Sequence, residues 1–131
     1  MRSIRVIPVP AFADNYLWVL HDDQFAAVVD PGDHRPVAAF LAEQELSLIA
    51  ILCTHHHPDH VGGVKALREF AGDVPVYGPA HENIPDRTVA LAEGDEIFLE
   101  KLGLTFVVLD VPGHTAGHIA YRGHNMLFCG D

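Results

Sequence analysis

A run of histidines lies between an apolar segment and an amphipathic one, and this arrangement dictates the order of structure in the middle of the chain. Residues 54–60 read THHHPDH. The apolar residues Leu48–Cys53 before them predict a buried strand. The residues after them carry apolar side chains at helical spacing, which predicts a helix over 59–70, and Pro58 suits its first turn. The sequence therefore predicts a strand, a polar loop and a helix in direct succession.

The histidine-rich loop contains residue types that bind transition metals. In an extended stretch the side chains alternate, so His55 and His57 point to the same side. Asp59 and His60 lie at the chain reversal and can add an oxygen and a third nitrogen, which gives the mixed set that zinc and iron favour. A solvated histidine-rich loop and an expression tag are the alternatives, although a tag lies at a terminus and lacks the aspartate. We therefore predict a metal site at this loop.

A catalytic metal needs a further protein ligand besides an open position for water. Residues 112–118 read PGHTAGH, directly after the apolar run Leu104–Val111. Glycines on both sides allow a tight turn here, so we predict that His114 is that ligand. His118 opens the following strand and is predicted to pack, or to hold a ligand through its ring N–H. Asp131 follows a glycine at a strand end, where it is either a ligand or an ordinary terminal residue.

Several other residues have a simple structural interpretation. The sequence Asp30-Pro31-Gly32 predicts a turn, with support of the metal loop as the alternative. The pair Gly62-Gly63 weakens its helix by roughly 1 kcal/mol per glycine, which suggests that another group approaches the backbone there, with poor helix propensity without a purpose as the alternative. Cys53 and Cys129 each end an apolar strand and are predicted to be small buried hydrophobes rather than nucleophiles. The histidines predicted to lie on the surface are His21, His34, His81 and His124.

The pattern along the whole chain predicts one layered α/β domain. The predicted strands are Ile4–Val9, Tyr16–Leu20, Phe25–Val29, Leu48–Cys53, Val74–Tyr77, Ile97–Leu99, Leu104–Val111, Ile119–Tyr121 and Met126–Cys129. The predicted helices are Arg35–Glu45 and Asp59–Phe70. Strands predominate early and late with helices between them, which favours an α/β sandwich over an all-β barrel.

Composition narrows the function classes. Of the 131 residues, 49% are hydrophobic and 20% are charged, which is typical of a globular protein rather than a disordered or fibrous one. A formal charge of −10 repels phosphate backbones, so we expect no nucleic-acid partner. We expect no membrane partner either, because no apolar stretch is long enough to cross a bilayer. Two cysteines without CxxC spacing fit a reducing compartment, and we predict a cytoplasmic protein.

These motifs, taken together and in order, resemble those of a known enzyme family. The segments are FADNYLWVL, DPG, THHHPDHVGG, PGHTAGH and the closing LFCGD. They resemble the metallo-β-lactamase superfamily and, within it, glyoxalase II, the hydroxyacylglutathione hydrolases. The resemblance implies an αββα sandwich. Residues 1–131 would form its N-terminal part, without the rest of the second sheet or the helical domain that holds glutathione.

The resemblance also implies a set of metal ligands. By that resemblance the first metal would be held by His55, His57 and His114, the second by Asp59 and His60, and Asp131 would bridge the two. The implied cofactor is zinc, two ions per intact enzyme, with iron or manganese as alternatives. Asp59 is also a candidate catalytic base, although its role as a ligand is the first choice. With so few ligands left for the second metal, we expect the first site to fill more tightly.

The implied reaction is hydrolysis of S-(2-hydroxyacyl)glutathione, such as S-lactoylglutathione, to a 2-hydroxy acid and glutathione by a metal-bound hydroxide. This is a step in methylglyoxal detoxification. The alternatives are a metal-binding fragment without turnover and a mono-iron persulfide dioxygenase of the same superfamily. A nuclease is disfavoured by the charge. Because half a sandwich leaves an apolar sheet face uncovered, we also expect self-association through that face.

Overall fold

The computed structural model describes residues 3–11, 15–111 and 117–129, without the side chains of residues 11, 15, 58 and 59. The strands are β1 Arg5–Ala11, β2 Asn15–His21, β3 Phe25–Val29, β4 Ser47–Leu52, β5 Val76–Pro79, β6 Val89–Leu91, β7 Glu96–Leu99, β8 Leu104–Asp110, β9 Ile119–Gly123 and β10 Met126–Phe128. The helices are α1 His34–Glu43, α2 Pro58–Val61 and α3 Val64–Ala71, with a short 3₁₀ helix at Glu100–Leu102.

The strands form two sheets. The first sheet has the order β1-β2-β3-β4-β5-β6, antiparallel from β1 to β3 and parallel from β3 to β6. The second has the order β10-β9-β8-β7 and is antiparallel throughout. The parallel pairs require crossover connections, which α1 supplies between β3 and β4 and α2 with α3 supplies between β4 and β5. The histidine-rich loop therefore lies at the carboxyl end of β4, where α/β sheets place their ligand sites.

Alternation along β3 shows how the layers form. Ala26 and Val28 belong to the core under the helices, while Ala27 and Val29 belong to the core between the sheets. Both faces of the strand are thus buried, which is why its sequence is continuously apolar. The helices complete the first core with Val37, Leu41, Val64 and Leu67. The second sheet completes the other core with residues that include Leu104, Phe106, Val108 and Tyr121.

The outer face of the second sheet carries exposed apolar side chains. Phe98 in β7 is 60% exposed and Leu127 in β10 is 57% exposed. Their neighbours along each strand, Ile97 and Phe128, point inward to the core between the sheets. Self-association through this face stays a prediction. No helix in the described parts of the chain is long and apolar enough to cross a membrane.

The structure corrects the predicted elements in two places. The single helix expected over 59–70 is two helices, because the chain breaks at Gly62 and Gly63. The Gly63 N–H donates to the Pro31 carbonyl oxygen at 2.8 Å, so the turn after β3 takes the place of the next helical turn. Strand β6 was not predicted. It has three residues, of which only Leu91 is buried, and it is defined by its pairing with β5 rather than by a pattern of its own.

Two of the predicted burial states are wrong. Cys129 is exposed, because Phe128 fills the inward position at the end of β10 and alternation turns the next residue outward. His21 is buried rather than on the surface. Its Nδ1 accepts the Asp23 N–H at 3.1 Å, and its ring meets the Phe40 ring edge-on, so the imidazole is both satisfied and covered.

Helix α1 begins at a charged cap, which gives a testable pH dependence. The Asp33 carboxylate accepts the Arg35 N–H at 3.0 Å and pairs with the Arg35 guanidinium at 2.8 Å, which lowers the pKa of Asp33 to about 2. Replacing Asp33 with alanine should lower the free energy of unfolding by about 1 kcal/mol at neutral pH. Urea denaturation across a pH series measures this difference.

The sign follows from the lowered pKa of Asp33. Its stabilisation is complete above the ordinary value of 3.8 and is lost as the pH falls toward about 2. The gap between Asp33→Ala and the wild type should therefore close in acid. Asp73→Ala is the control, because that side chain is fully exposed. A gap of the same size at all pH values would contradict the assignment to the charged cap.

Candidate metal centre

The histidine-rich loop gathers three of the predicted ligands. His55 is fully buried and His57 is half-buried, and their ring centroids lie 5.0 Å apart. His60, in the short helix α2, places its ring centroid 4.3 Å from that of His55. The alternation expected from sequence is also present, because His56 is exposed while the histidines on either side of it face the protein. One local segment thus brings three imidazoles together.

Asp30 anchors this loop from the end of β3. Its Oδ1 accepts the Thr54 N–H at 2.8 Å, and its Oδ2 accepts the Thr54 hydroxyl at 2.8 Å. The same Oδ2 lies 3.3 Å from Nδ1 of His60. Asp30 adopts a left-handed φ of 52°, which aspartate tolerates better than most residues. The Gly32 N–H donates to the Asp30 carbonyl oxygen at 2.8 Å, so the DPG sequence both turns the chain and supports the loop.

These hydrogen bonds set the tautomers of two histidines. Because the Thr54 hydroxyl donates its proton to Asp30, it accepts from Nδ1 of His55, which lies 2.9 Å away. The contact between Asp30 and Nδ1 of His60 acts in the same way. In each ring the lone pair then lies on Nε2, and this is the form in which a neutral imidazole binds a metal while its other nitrogen is held by a carboxylate or hydroxyl.

The buried side chains fit a metal ion. Asp30, His55 and His60 each offer one ligand atom, and the three atoms lie within 4.8 Å of one another. Imidazole and carboxylate are the ligands that zinc and iron accept. Since both oxygens of Asp30 already accept hydrogen bonds, we assign its carboxylate to holding the histidines in place rather than to the metal itself.

His118 packs against the cluster, as the sequence predicts. It is buried, and its ring stacks on that of His55 with centroids 4.4 Å apart and planes at 19°. Its Nε2 donates to the Cys129 carbonyl oxygen at 2.5 Å, which ties the start of β9 to the end of β10. The second sheet thereby supports the histidine-rich loop through His118.

Three predicted ligands are not described at the level of their side chains. His114 and Asp131 lie outside the described residues. Asp59 lies within α2, but its side chain is not described. Their roles as ligands stay predictions.

Tyr121 supports the base of the loop, and sequence reasoning missed it. Its hydroxyl donates to the Cys53 carbonyl oxygen at 2.6 Å from the opposite sheet. Burial raises the pKa of the Tyr121 hydroxyl and of the Cys53 thiol well above their ordinary values, so both are neutral. The Ile119 N–H adds a second tie from β9, to the Thr54 carbonyl oxygen at 3.0 Å. A tyrosine in an apolar strand carries no local sign of such a role.

An apolar groove opens directly beside the cluster. It has a volume of about 400 Å³ and reaches His60 and Asp30 at its inner end. Its walls come from both sheets, and the Trp18 and Phe128 rings lie with centroids 6.4 Å apart and planes at 59°. The other lining residues are Val6, Tyr16, Val29, Met126, Leu127 and Cys129. A groove with apolar walls and a polar inner end suits a small organic substrate.

Comparison with known families decides the class. The family description of the metallo-beta-lactamase superfamily matches residues 12–131. The chain belongs to this superfamily. The α/β metallo-β-lactamase-like fold predicted from the sequence is therefore confirmed. Membership implies metal ions, and the buried group of Asp30, His55 and His60 could bind one.

Relatives within the superfamily are similar over nearly the whole chain. The hydroxyacylglutathione hydrolase of Nitrosomonas eutropha is 59% identical over 129 residues, covering 98% of this chain and 50% of that protein. ETHE1 from Myxococcus xanthus superposes with a TM-score of 0.77 at 29% identity, covering 95% of this chain and 55% of that one. A di-iron-bound form of TTHA1623 superposes with a TM-score of 0.68 at 30% identity, covering 90% and 67%. The chain spans about half the length of the curated relatives it matches.

Proposed function

We propose that this chain is part of a metal-dependent thioester hydrolase. The enzyme would cleave S-(2-hydroxyacyl)glutathione, such as S-lactoylglutathione, to a 2-hydroxy acid and glutathione. The observation that carries the proposal is the 59% identity to a hydroxyacylglutathione hydrolase across 98% of this chain. The buried imidazole cluster supports it, because the reaction needs an activated water and the cluster fits a metal.

The proposed centre holds two metal ions, for which zinc is our first choice. His55, His57 and His114 would hold the first, Asp59 and His60 would hold the second, and Asp131 would serve both. The di-iron-bound form of the related TTHA1623 supports a centre of two ions. When bound, such ions supply deprotonated water at neutral pH and polarise the carbonyl group under attack.

The chain's own residues would orient and shelter the substrate. Asp30 and Thr54 hold His55 and His60 in the tautomers that bind metal, so the centre is formed before the substrate arrives. The groove beside His60 would take the acyl group, with Trp18 and Phe128 excluding water from it. The thiol that leaves has a far lower pKa than an amine, so its departure needs no dedicated general acid. Asp59 is the candidate group to take the proton from the attacking water.

A mono-iron persulfide dioxygenase is the second candidate. The observation that favours it is the buried group of two imidazoles and one carboxylate, which resembles the ligand set of such an iron. Both oxygens of Asp30 accept hydrogen bonds from Thr54, however, which weakens the case for Asp30 as a ligand. The third candidate is a metal-binding fragment without turnover, because the chain spans about half of its relatives.

Metal removal and return distinguish the three candidates. The protein is stripped with a chelator, dialysed and reconstituted separately with zinc, iron and manganese. Release of thiol from S-lactoylglutathione only after metal return would support the hydrolase. Oxygen consumption with glutathione persulfide, restricted to the iron form, would replace it with the dioxygenase. Metal uptake without either reaction would leave a binding fragment and contradict turnover by this chain.

We also propose that the protein is cytoplasmic. Cys53 and Cys129 are both free thiols in the structure, which fits a reducing compartment.

A further inference from the structure

A buried glutamate connects the histidine-rich loop to Gly117. Glu82 lies in the turn after β5, and its side chain is 4% exposed. Its Oε1 accepts the His56 backbone N–H at 2.8 Å and lies 2.9 Å from Nδ1 of the same residue. Its Oε2 accepts the Gly117 N–H at 3.1 Å. One carboxylate therefore uses its two oxygens on two different parts of the chain.

The contact at His56 lies between two predicted ligands, and the contact at Gly117 lies beside His118. His56 separates His55 from His57, so the hydrogen bond to its N–H fixes the backbone between two imidazoles of the centre. Gly117 directly follows 112–116, the range that contains the predicted ligand His114, and it precedes His118, whose ring stacks on His55. Glu82 thus sets the separation between the histidine-rich loop and the Gly117–His118 backbone.

The turn that presents Glu82 is itself braced. Nη1 of Arg87 donates to the Pro79 and Glu82 carbonyl oxygens, each at 2.7 Å. The backbone of Glu82 is therefore held at both ends of the turn, and its carboxylate is aimed inward. The position of the Glu82 side chain also explains why residue 117 is a glycine, because a Cβ there would lie 2.6 Å from Cγ of Glu82.

We propose that Glu82 is a positioning residue for the metal centre, which holds the His55–His57 loop against Gly117 and His118 at the spacing that metal binding needs. The inference rests on the proposed metal site. It requires a carboxylate, since both partners are N–H donors and only a carboxylate offers two acceptor oxygens. Glutamine supplies one acceptor and one donor, so it can satisfy His56 or Gly117 but not both. Aspartate is one methylene too short to reach both.

The first test measures metal binding directly. Glu82→Gln is compared with wild type for the dissociation constant of Zn²⁺, by competition with a chromophoric chelator, and for the visible spectrum of the Co²⁺ form. We expect about 10-fold weaker binding, the size of effect seen for groups that orient metal ligands, and altered Co²⁺ bands. Glu100→Gln makes the same chemical change at an exposed glutamate and should leave both readouts as in wild type. Unchanged affinity and spectrum in Glu82→Gln would overturn the proposal.

The second test needs no metal. Gly117→Ala should collide with the Glu82 side chain and speed amide hydrogen exchange at His56 in the metal-free protein. The same substitution in a Glu82→Ala background should add much less, because the colliding Cγ is gone. Equal effects in the two backgrounds would refute the link, including in the case that Glu82→Gln fails to fold. If wild type binds no metal while the two backgrounds differ as expected, the proposed function fails and the structural link survives.

Discussion

Alanine in place of Gly63 should destabilise the fold by about 3 kcal/mol or more. A Cβ at this position would lie 2.5 Å from the His34 nitrogen, 2.6 Å from the Pro31 oxygen and 2.9 Å from the Asp33 carbonyl carbon. All three are backbone atoms, so no side-chain rotation relieves the collision. The Gly63 N–H also donates to the Pro31 carbonyl oxygen at 2.8 Å, and displacement would lengthen this bond. The same turn presents Asp30, so the metal centre would be disturbed as well.

Urea denaturation followed by circular dichroism measures the loss, and a second glycine isolates its cause. Gly63 has a φ of −94°, which alanine adopts without strain, so collision is the source of the predicted loss. Gly103 has a left-handed φ of 66° and ψ of 29°, and a Cβ added there would meet no atom within 4 Å. Gly103→Ala should therefore cost only the backbone strain of about 1 to 2 kcal/mol. If Gly63→Ala denatures at the same urea concentration as wild type, the predicted collision with the turn after β3 is contradicted.

Burial on both faces made the central strands predictable. In β3 and β4 nearly every position faces a core, either under the helices or between the sheets, so the apolar runs in the sequence mark the strands directly. The short strand β6 gave no such signal, because its structure follows from backbone pairing to β5. The glycine pair 62–63 did indicate a close approach. Its partner Pro31 comes from a different part of the sequence, so the break in the helix could not be located from local spacing.

The same division between local and distant partners applies to the site. The clustering of His55, His57 and His60 follows from the period of a strand and the start of a helix, which the sequence shows directly. The groups that hold them come from other elements and have no pattern of their own. Glu82 is one of 18 acidic residues in the chain, and only the fold shows that it is buried against the histidine-rich loop. Tyr121 reads as an ordinary core residue until its hydroxyl is placed at the Cys53 carbonyl oxygen.

Replacing His57 with alanine should have the largest effect at the metal centre. Groups that only orient ligands cost about 10- to 100-fold in metal affinity when removed, so loss of a direct ligand should cost more than about 100-fold. The fold should survive, because the loop is anchored by the hydrogen bonds among Asp30, Thr54 and His55, and His57→Ala leaves these in place. The metal content after dialysis at fixed free zinc and the chelator competition constant measure the loss.

His81→Ala is the matched control for His57→Ala. His81 is an exposed histidine outside the cluster, so its removal changes the histidine content of the protein equally while leaving the centre intact. We expect His81→Ala to bind zinc as wild type does, and we expect both variants to keep the wild-type circular dichroism spectrum. Equal zinc affinity in the two variants would remove His57 from the ligand set. A folded His57→Ala protein that has lost its zinc would instead show that the loop is stable without the metal. This is the result expected if the hydrogen bonds of Asp30 hold the loop in place.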